Sequence, residues 1–221
     1  MIKQNSYELS LFEKFKNNID VVVDIGCRDN LDYYFIKPNA NFHLFDINQK
    51  HVDKLINTIS SLKHKINLYN IGLSNKNAKV KYGEASESIY RPWGNIIECD
   101  IRKFDEILIE KNIQNIDFLK MDIEGCEPEI LCYTEIINNI KYIQFEYGQV
   151  WDRSKTNIKN ICDTYATSHE FYFVKDINHP LTNTESAPLL TTINDSFIEK
   201  IESYTNVGCG CNILMFNKKC K

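Results

Sequence analysis

From residue 20 to residue 150, apolar runs of strand length alternate with segments of helical periodicity, and no repeat or linker interrupts them. "VVVDIG" at 21–26 is apolar without alternation, as expected of a strand buried on both faces. "NFHLFDI" (41–47), "KINLYNIGL" (65–73), "IDFLKMD" (116–122) and "IKYIQFEYG" (140–148) continue the series. Between them, "QKHVDKLINTISSL" (49–62) sets Val52, Leu55, Ile56 and Ile59 on one helical face, "FDEILIE" gives a short helix, and another opens at Pro128. Strand–helix alternation of this length demands an α/β domain with a mostly parallel sheet.

The flanks extend the same domain. Leu9, Phe12 and Phe15 predict a helix over 6–17 with Ser6 as N-cap, and a short helix is expected at 31–36. "AKVKYG" (78–83) and "IIECDI" (96–101) read as further β segments. After residue 150 come a helix ("NIKNICDTYATS"), a strand ("EFYFVKD"), a loop over 178–194, a helix ("DSFIEKIESY") and a last strand, "CNILMFN". These two strands are positioned to add an antiparallel edge. One domain over 1–221 is expected: an N-terminal helix in 1–19, a ligand-binding core in 20–150, and completion of the sheet by 151–221.

Composition excludes several function classes. Net charge is −4, with no block of five like charges and no basic stripe, so tight nucleic-acid binding by counterion release is not expected. No apolar run approaches a membrane span or signal-peptide length, which predicts no membrane insertion and a cytoplasmic location. Of eight cysteines, Cys27, Cys99, Cys126, Cys132 and Cys162 fall in apparent core elements and read as small buried hydrophobes. Cys209 and Cys211, with Cys220 nearby, lack a second ligand pair at zinc spacing.

Ligands of open parallel sheets bind at the carboxyl ends of the strands. At the first, Asp24 ends the strand and Gly26 lets the backbone approach a ligand. The run D-I-G-C-R-D-N has one glycine and two aspartates where a dinucleotide fold needs G-x-G-x-x-G. Acidic groups repel a pyrophosphate but suit the ammonium and sulfonium of S-adenosylmethionine. A nicotinamide-dependent oxidoreductase is disfavoured for that reason. Asp46, 20 residues after Gly26, ends the second strand where a carboxylate accepts ribose hydroxyls, or alternatively caps the helix starting near Asn48.

The segments "VVVDIGCRDN", "FHLFDIN", "LYNIGLSNKNAKVKY", "CDIRKFDEIL", "IDFLKMDIEGCEPEIL" and "IQFEYG", in this order, resemble the FkbM-type family of class I S-adenosylmethionine-dependent methyltransferases. The resemblance spans roughly residues 20–150. It implies a Rossmann-like, mostly parallel seven-stranded sheet with an antiparallel edge strand, and methyl transfer to a hydroxyl of a sugar, glycan or similar small molecule. The expected cofactor residues are Asp24, Gly26, Cys27, Asp46, Ile47, Asn70, Ile71 and Met121, with Asn70 and Ile71 near the adenine. The chain departs from the family at Asn30, where a glycine is usual and where Asn is expected to tolerate the left-handed conformation. It departs again at Asp46-Ile47 in place of Glu-Pro, and at Tyr147-Gly148, where a His is frequent. A degenerate methyltransferase-like binding module is the alternative that these departures raise.

Methyl transfer to an alkyl hydroxyl needs a base or a metal that lowers the hydroxyl pKa, with close alignment of oxygen and methyl. Asp122 and Glu146 end the fourth and fifth core strands and are expected to share one crevice with Glu124. These three are the candidate catalytic residues. Asp122 and Glu146 are also the candidate ligands for Mg²⁺, which the resemblance permits without requiring. Glu127 and Glu129 flank Pro128 and read as helix-start residues, stabilising the helix by roughly 0.3–1 kcal/mol. Tyr90, Arg91 and Trp93 form an aromatic loop suited to cover an acceptor.

Overall fold

The computed structural model describes residues 7–62, 66–176, 178–184 and 186–220. The proposed Ser6 cap lies outside the described residues. In chain order the elements are α1 (Tyr7–Phe15), β1 (Val21–Ile25), α2 (Asp32–Ile36), β2 (Asn41–Asp46), α3 (Gln49–Ile59), β3 (Ile66–Asn70), β4 (Gly72–Ser74), β5 (Ala78–Gly83), β6 (Ile96–Lys103) and α4 (Phe104–Glu110). They continue with β7 (Phe118–Met121), α5 (Glu127–Leu131), β8 (Tyr142–Tyr147), α6 (Ile158–Tyr165), β9 (His169–Val174), β10 (Leu190–Thr192), α7 (Asp195–Thr205) and β11 (Cys211–Asn217).

The main sheet has eight strands in the order β10-β9-β11-β8-β7-β1-β2-β3. Strands β3, β2, β1, β7 and β8 are parallel neighbours. The sheet therefore has one strand more than expected. The last strand, β11, runs antiparallel inside the sheet between β8 and β9, and the antiparallel edge is the three-residue β10, inside the loop read over 178–194. The segment 65–73 also divides: β3 stays in the main sheet, while β4 joins β6 and β5 in a three-stranded sheet. Gly72 marks the parting, since a Cβ there would meet Ile47 and Ile101 side chains at 2.8 and 2.9 Å.

Alternation along the strands builds two cores. Val22, Phe42, Phe118, Tyr142 and Leu214 pack under α1, where Leu11 and Phe12 are fully buried. Val23, Phe45, Leu119, Phe145 and Ile213 pack on the opposite face with Phe104 and Ile107 of α4, Ile161 of α6 and Ile201 of α7. The cysteine reading holds in part: Cys27 and Cys126 are buried, Cys99 and Cys162 half-buried, and Cys132 exposed. His169 and His179 are buried packing residues.

The same alternation carries polar residues to the α1 face near the strand ends. Asp24, Lys120 and Gln144 are consecutive cross-strand neighbours in register. Above them lies Glu8 of α1, whose Oε1 accepts from Asn212 Nδ2 at 2.8 Å.

Gly26 joins β1 to the ligand face in a left-handed conformation, φ +78°, and a Cβ there would lie 1.9 Å from the Asp122 carbonyl oxygen. Its nakedness thus lets the β1 and β7 tips close on each other. Gly26→Ala is expected to lower the unfolding free energy by about 2–4 kcal/mol through overpacking and left-handed strain; an unchanged denaturant midpoint would refute this.

Candidate active site

Two adjoining cavities open at the carboxyl ends of the parallel strands, enclosing with their mouths about 620 and 550 Å³ of empty space. The first lies between the main and small sheets. Its walls come from the β1 tip (Ile25, Gly26, Arg28), the β2 tip (Phe45, Asp46, Ile47), Ile71 to Ser74, Ile101, and the turn after β7 (Asp122, Ile123, Glu124). The second is bounded by Glu124, Gly125 and Glu127, by Glu146 and the segment from Gly148 to Trp151, and by Arg91, Gly208 and Gly210. Glu124 lines both.

Of the expected cofactor residues, Gly26, Asp46, Ile47 and Ile71 line the first cavity. Asp24, Cys27 and Met121 are buried and do not line it. Asn70 braces it from outside, its Nδ2 donating to the carbonyls of Asp46 at 3.0 Å and Ile47 at 3.2 Å. Asp46 is buried; its Oδ2 accepts from Arg28 N at 2.7 Å and its Oδ1 from Asn48 N at 2.7 Å. Oδ2 keeps a lone pair for a further donor, while Oδ1 also has His51 Nδ1 at 3.4 Å. The capping alternative belongs to Asn48, whose Oδ1 accepts from Lys50 N at the start of α3.

Asn30 does not take the left-handed conformation expected of it; Arg28 does, at φ 53°. The Asn30 side chain instead accepts from Asp32 N at 2.7 Å and sets up α2. Arg28 reaches across the cavity mouth, Nε to Glu87 Oε2 at 2.9 Å and Nη2 to Glu124 Oε1 at 3.1 Å. Glu87 and Glu124 are also left-handed, at φ 53° and 54°. Three loops therefore meet in one ion cluster, each through a strained residue.

The three candidate catalytic acids come together. One carboxylate oxygen from each of Asp122, Glu124 and Glu146 lies within 4.8 Å of the others, the one such group of possible metal ligands among the described residues. Their repulsion is met by cations already present. Lys120, buried in the strand, points its Nζ to Asp24 Oδ1 and to Asp122 Oδ2, both at 3.5 Å, and donates to the Gly26 carbonyl at 3.2 Å. Burial works against the Lys120 charge, but Asp24, Asp122 and Glu8 outweigh it and hold the ammonium protonated. One cation shared among three acids leaves Asp24 raised by its burial.

Asp122 and Glu146 are hydrogen-bonded to each other and titrate apart. Burial pushes Asp122 up, yet Lys120 and Arg28 bring it below the usual carboxylate range. Burial, then the Asp122 charge, pushes Glu146 up to about 8. Near neutral pH the pair holds one proton, on Glu146. A metal bound by the three acids would have to displace this proton and the Arg28 contact.

Glu127 and Glu129 fall in the first turn of α5, which is only five residues long. Neither is a solvated cap. Glu127 is fully buried and accepts from Ile123 N at 2.8 Å, Gly125 N at 3.0 Å and Trp151 Nε1 at 3.1 Å, fixing the turn that carries Glu124. Glu129 accepts from Ser74 Oγ and Tyr90 OH, tying the aromatic loop to the first cavity. Ser88 Oγ binds the same loop to the Glu124 carbonyl at 3.0 Å. Trp93 is exposed, while Arg91 faces the second cavity.

Sequence reasoning did not find Lys120, Arg28 or Glu87. Strand period and register could have shown Lys120 beside Asp24. The other two required the loop conformations.

A main sheet whose antiparallel last strand inserts beyond β8, with cavities at the parallel strand tips, defines a Rossmann-like class I methyltransferase fold. An rRNA methylase from Streptococcus thermophilus aligns with TM-score 0.52 and 11% identity over 98% of both chains. TrmK of M. capricolum, in complex with S-adenosyl-homocysteine, aligns with TM-score 0.50 and 16% identity over 97% of this chain and 69% of its own. A model of the methyltransferase FkbM domain matches residues 6–173, and the chain belongs to that family. The 2-O-methyltransferase NoeI of Sinorhizobium fredii (strain NBRC 101917 / NGR234) is 22% identical over 154 residues, 58% of this chain. The aligned part spans 63% of that relative's length. No described helix is long and apolar enough to cross a membrane.

Removing the Lys120 ammonium leaves Asp24 and Asp122 facing each other in the interior. Lys120→Leu is expected to cost about 3–5 kcal/mol at neutral pH. The Asp24 carboxyl, already raised, rises further in the variant, so its protonated form stabilises the fold at low pH and that stability is lost as pH rises. The deficit relative to wild type should therefore shrink as pH is lowered toward about 4. A pH-independent deficit in urea titrations would contradict the charge assignment.

Proposed function

We propose that this protein is an S-adenosylmethionine-dependent O-methyltransferase acting on a hydroxyl of a saccharide or similar small molecule. The observation that carries the reading is the junction of the two cavities at Glu124, with the Asp122–Glu146 pair beside it. The first cavity would hold the cofactor. Asp46 would accept from the ribose hydroxyls, and Ile47, Ile71 and Leu73 offer an apolar slot for the adenine. Asp122 and Glu124 offer negative charge to the ammonium and sulfonium, in competition with Arg28. The family membership supports methyl transfer, and the activity named for NoeI supports a hydroxyl acceptor.

The acceptor hydroxyl enters from the second cavity, toward Glu146. Its oxygen attacks the methyl carbon in line with the sulfonium, the carbon–sulfur bond breaks, and the thioether of S-adenosylhomocysteine leaves. The hydroxyl proton passes to the Glu146 carboxylate. A base near pH 8 suits this task, since catalytic pKa values work best close to the operating pH. An approaching sulfonium favours the ionised Glu146 and lowers its pKa. Asp122, kept ionised by Lys120 and Arg28, accepts a hydrogen bond from the Glu146 carboxyl once Glu146 has taken the proton. Because Lys120, Arg28 and the shared proton supply the compensating charge, the reading assigns no step to a metal.

Calorimetry with S-adenosylhomocysteine should give micromolar-range binding, an order-of-magnitude expectation of about −8 kcal/mol. Asp122→Asn and Glu146→Gln should retain that binding and lose turnover by about 10²-fold or more; full activity of either variant would remove that residue from the mechanism. Binding of the cofactor product without turnover on any hydroxylated acceptor would favour the binding-module alternative.

The pH dependence has a definite sign. Glu146 acts as its carboxylate, so kcat/KM should rise with pH and level off above about 8, to which burial and Asp122 raise its pKa. Activity should survive treatment with EDTA. A chelator-sensitive rate restored by Mg²⁺ would assign the acids to a metal instead.

A further inference from the structure

Four of the chain's eight glycines line the second cavity: Gly125, Gly148, Gly208 and Gly210. Packing accounts for two of them. A Cβ at Gly125 would meet the Val150 side chain at 2.7 Å, and one at Gly210 would meet Glu146 Oε1 at 3.1 Å. It does not account for Gly148. Its φ of −148° and ψ of 178° are extended backbone that any residue adopts. Its Cβ would meet only Gly210 Cα, at 3.9 Å. The missing side chain leaves space two residues from Glu146 without relieving any clash.

Charge in this cavity is equally defined. Arg91 is the one cation among its lining residues. The guanidinium is already engaged, Nη1 to Gln149 Oε1 at 3.1 Å and Nη2 to the Gln149 carbonyl at 3.3 Å and to Asp152 Oδ2 at 3.4 Å. The opposing groups are the carboxyls of Glu124, Glu127 and Glu146. A phosphate or carboxylate entering here would lose its hydration, face three acids and find no free cation. Neutral hydroxyls would find carboxyl oxygens, the Gln149 amide and the exposed backbone of the glycine walls as partners.

We propose that the second cavity is the acceptor subsite, that the bare backbone at Gly148 sets the size of ring it admits, and that it selects hydroxylated rings carrying no anionic group. This rests on the methyl-transfer reading above and adds to it a size-determining residue and a class of substrate.

The test measures radiolabelled methyl transfer from S-adenosylmethionine to methyl glucoside, glucosamine, glucose 6-phosphate and glucuronate. Wild type, Gly148→Ala and Gly148→Val are compared, with S-adenosylhomocysteine affinity and melting temperature recorded for each. Transfer to the first two probes and not to the anionic two is expected. The variants should lose kcat/KM in steps, about tenfold or more for valine, with cofactor-product affinity unchanged. The alanine variant carries the size test should valine lower the melting temperature. A preference for the anionic probes, or variants as active as wild type, overturns the subsite. Wild type that transfers to none of the probes while binding S-adenosylhomocysteine counts against the saccharide reading as well, which separates the two failures.

Discussion

One buried ammonium makes this site possible. Asp24, Asp122 and Glu8 converge on the α1 face of the sheet, and without a cation between them each would have to be neutral or the strands would part. Lys120 supplies that charge from the middle of β7, 3.5 Å from two of the acids. A surface ion pair would contribute little, but here both partners of the Lys120–Asp24 pair are buried, so breaking it leaves an uncompensated charge in a medium that screens poorly. The Lys120 bond to the Gly26 carbonyl also fixes the β1 tip against β7. Cavity wall, the Asp122 carboxylate and strand packing therefore depend on the same side chain.

Much of this was legible in the residues. Apolar runs and helical spacing gave nearly every element, and the strand-end rule led to Asp24, Gly26, Asp46, Asp122 and Glu146 because parallel strands present their carboxyl ends to one crevice. The sequence could not show that "KINLYNIGL" would split at Gly72, since a strand leaving one sheet for another keeps its apolar pattern. Nor could it place β11 inside the sheet, because pairing order is a non-local choice among strands of similar composition. Gly26 does line the first cavity, and the Asp122 carbonyl occupies the space that a side chain there would need. Lys120 was hidden because a Lys within an apolar run reads as an exception until its register with Asp24 and Gln144 is known.

The loops hold what sequence patterns address least. Arg28, Glu87 and Glu124 adopt left-handed conformations that cost L-residues roughly 1–2 kcal/mol each. None is Asn or Gly, so no residue preference announces them. Their mutual ion pairs offset part of that cost and hold three loops over one cavity mouth. Glu127 performs the complementary task from below, taking the N–H groups of Ile123 and Gly125 and the Trp151 indole. Glu124 is thus held between a buried brace and an exposed clasp, which gives it one position facing both cavities.

The four acids around Gly125 therefore divide by environment more than by sequence spacing. Glu127 and Glu129 each engage both carboxylate oxygens with protein donors. Asp122 faces two cations and stays ionised; Glu146, on the neighbouring strand, faces Asp122 and retains a proton up to about pH 8. Separating the pKa values of two touching carboxyls is how a protein obtains a fixed anion and a titratable base from the same functional group. Here the separation comes from register. Lys120 precedes Asp122 by two residues, so the strand alternation turns both side chains to one face, and β8 brings Glu146 alongside. Moving the lysine by one position would bury it in the opposite core and leave Asp122 without its nearest cation.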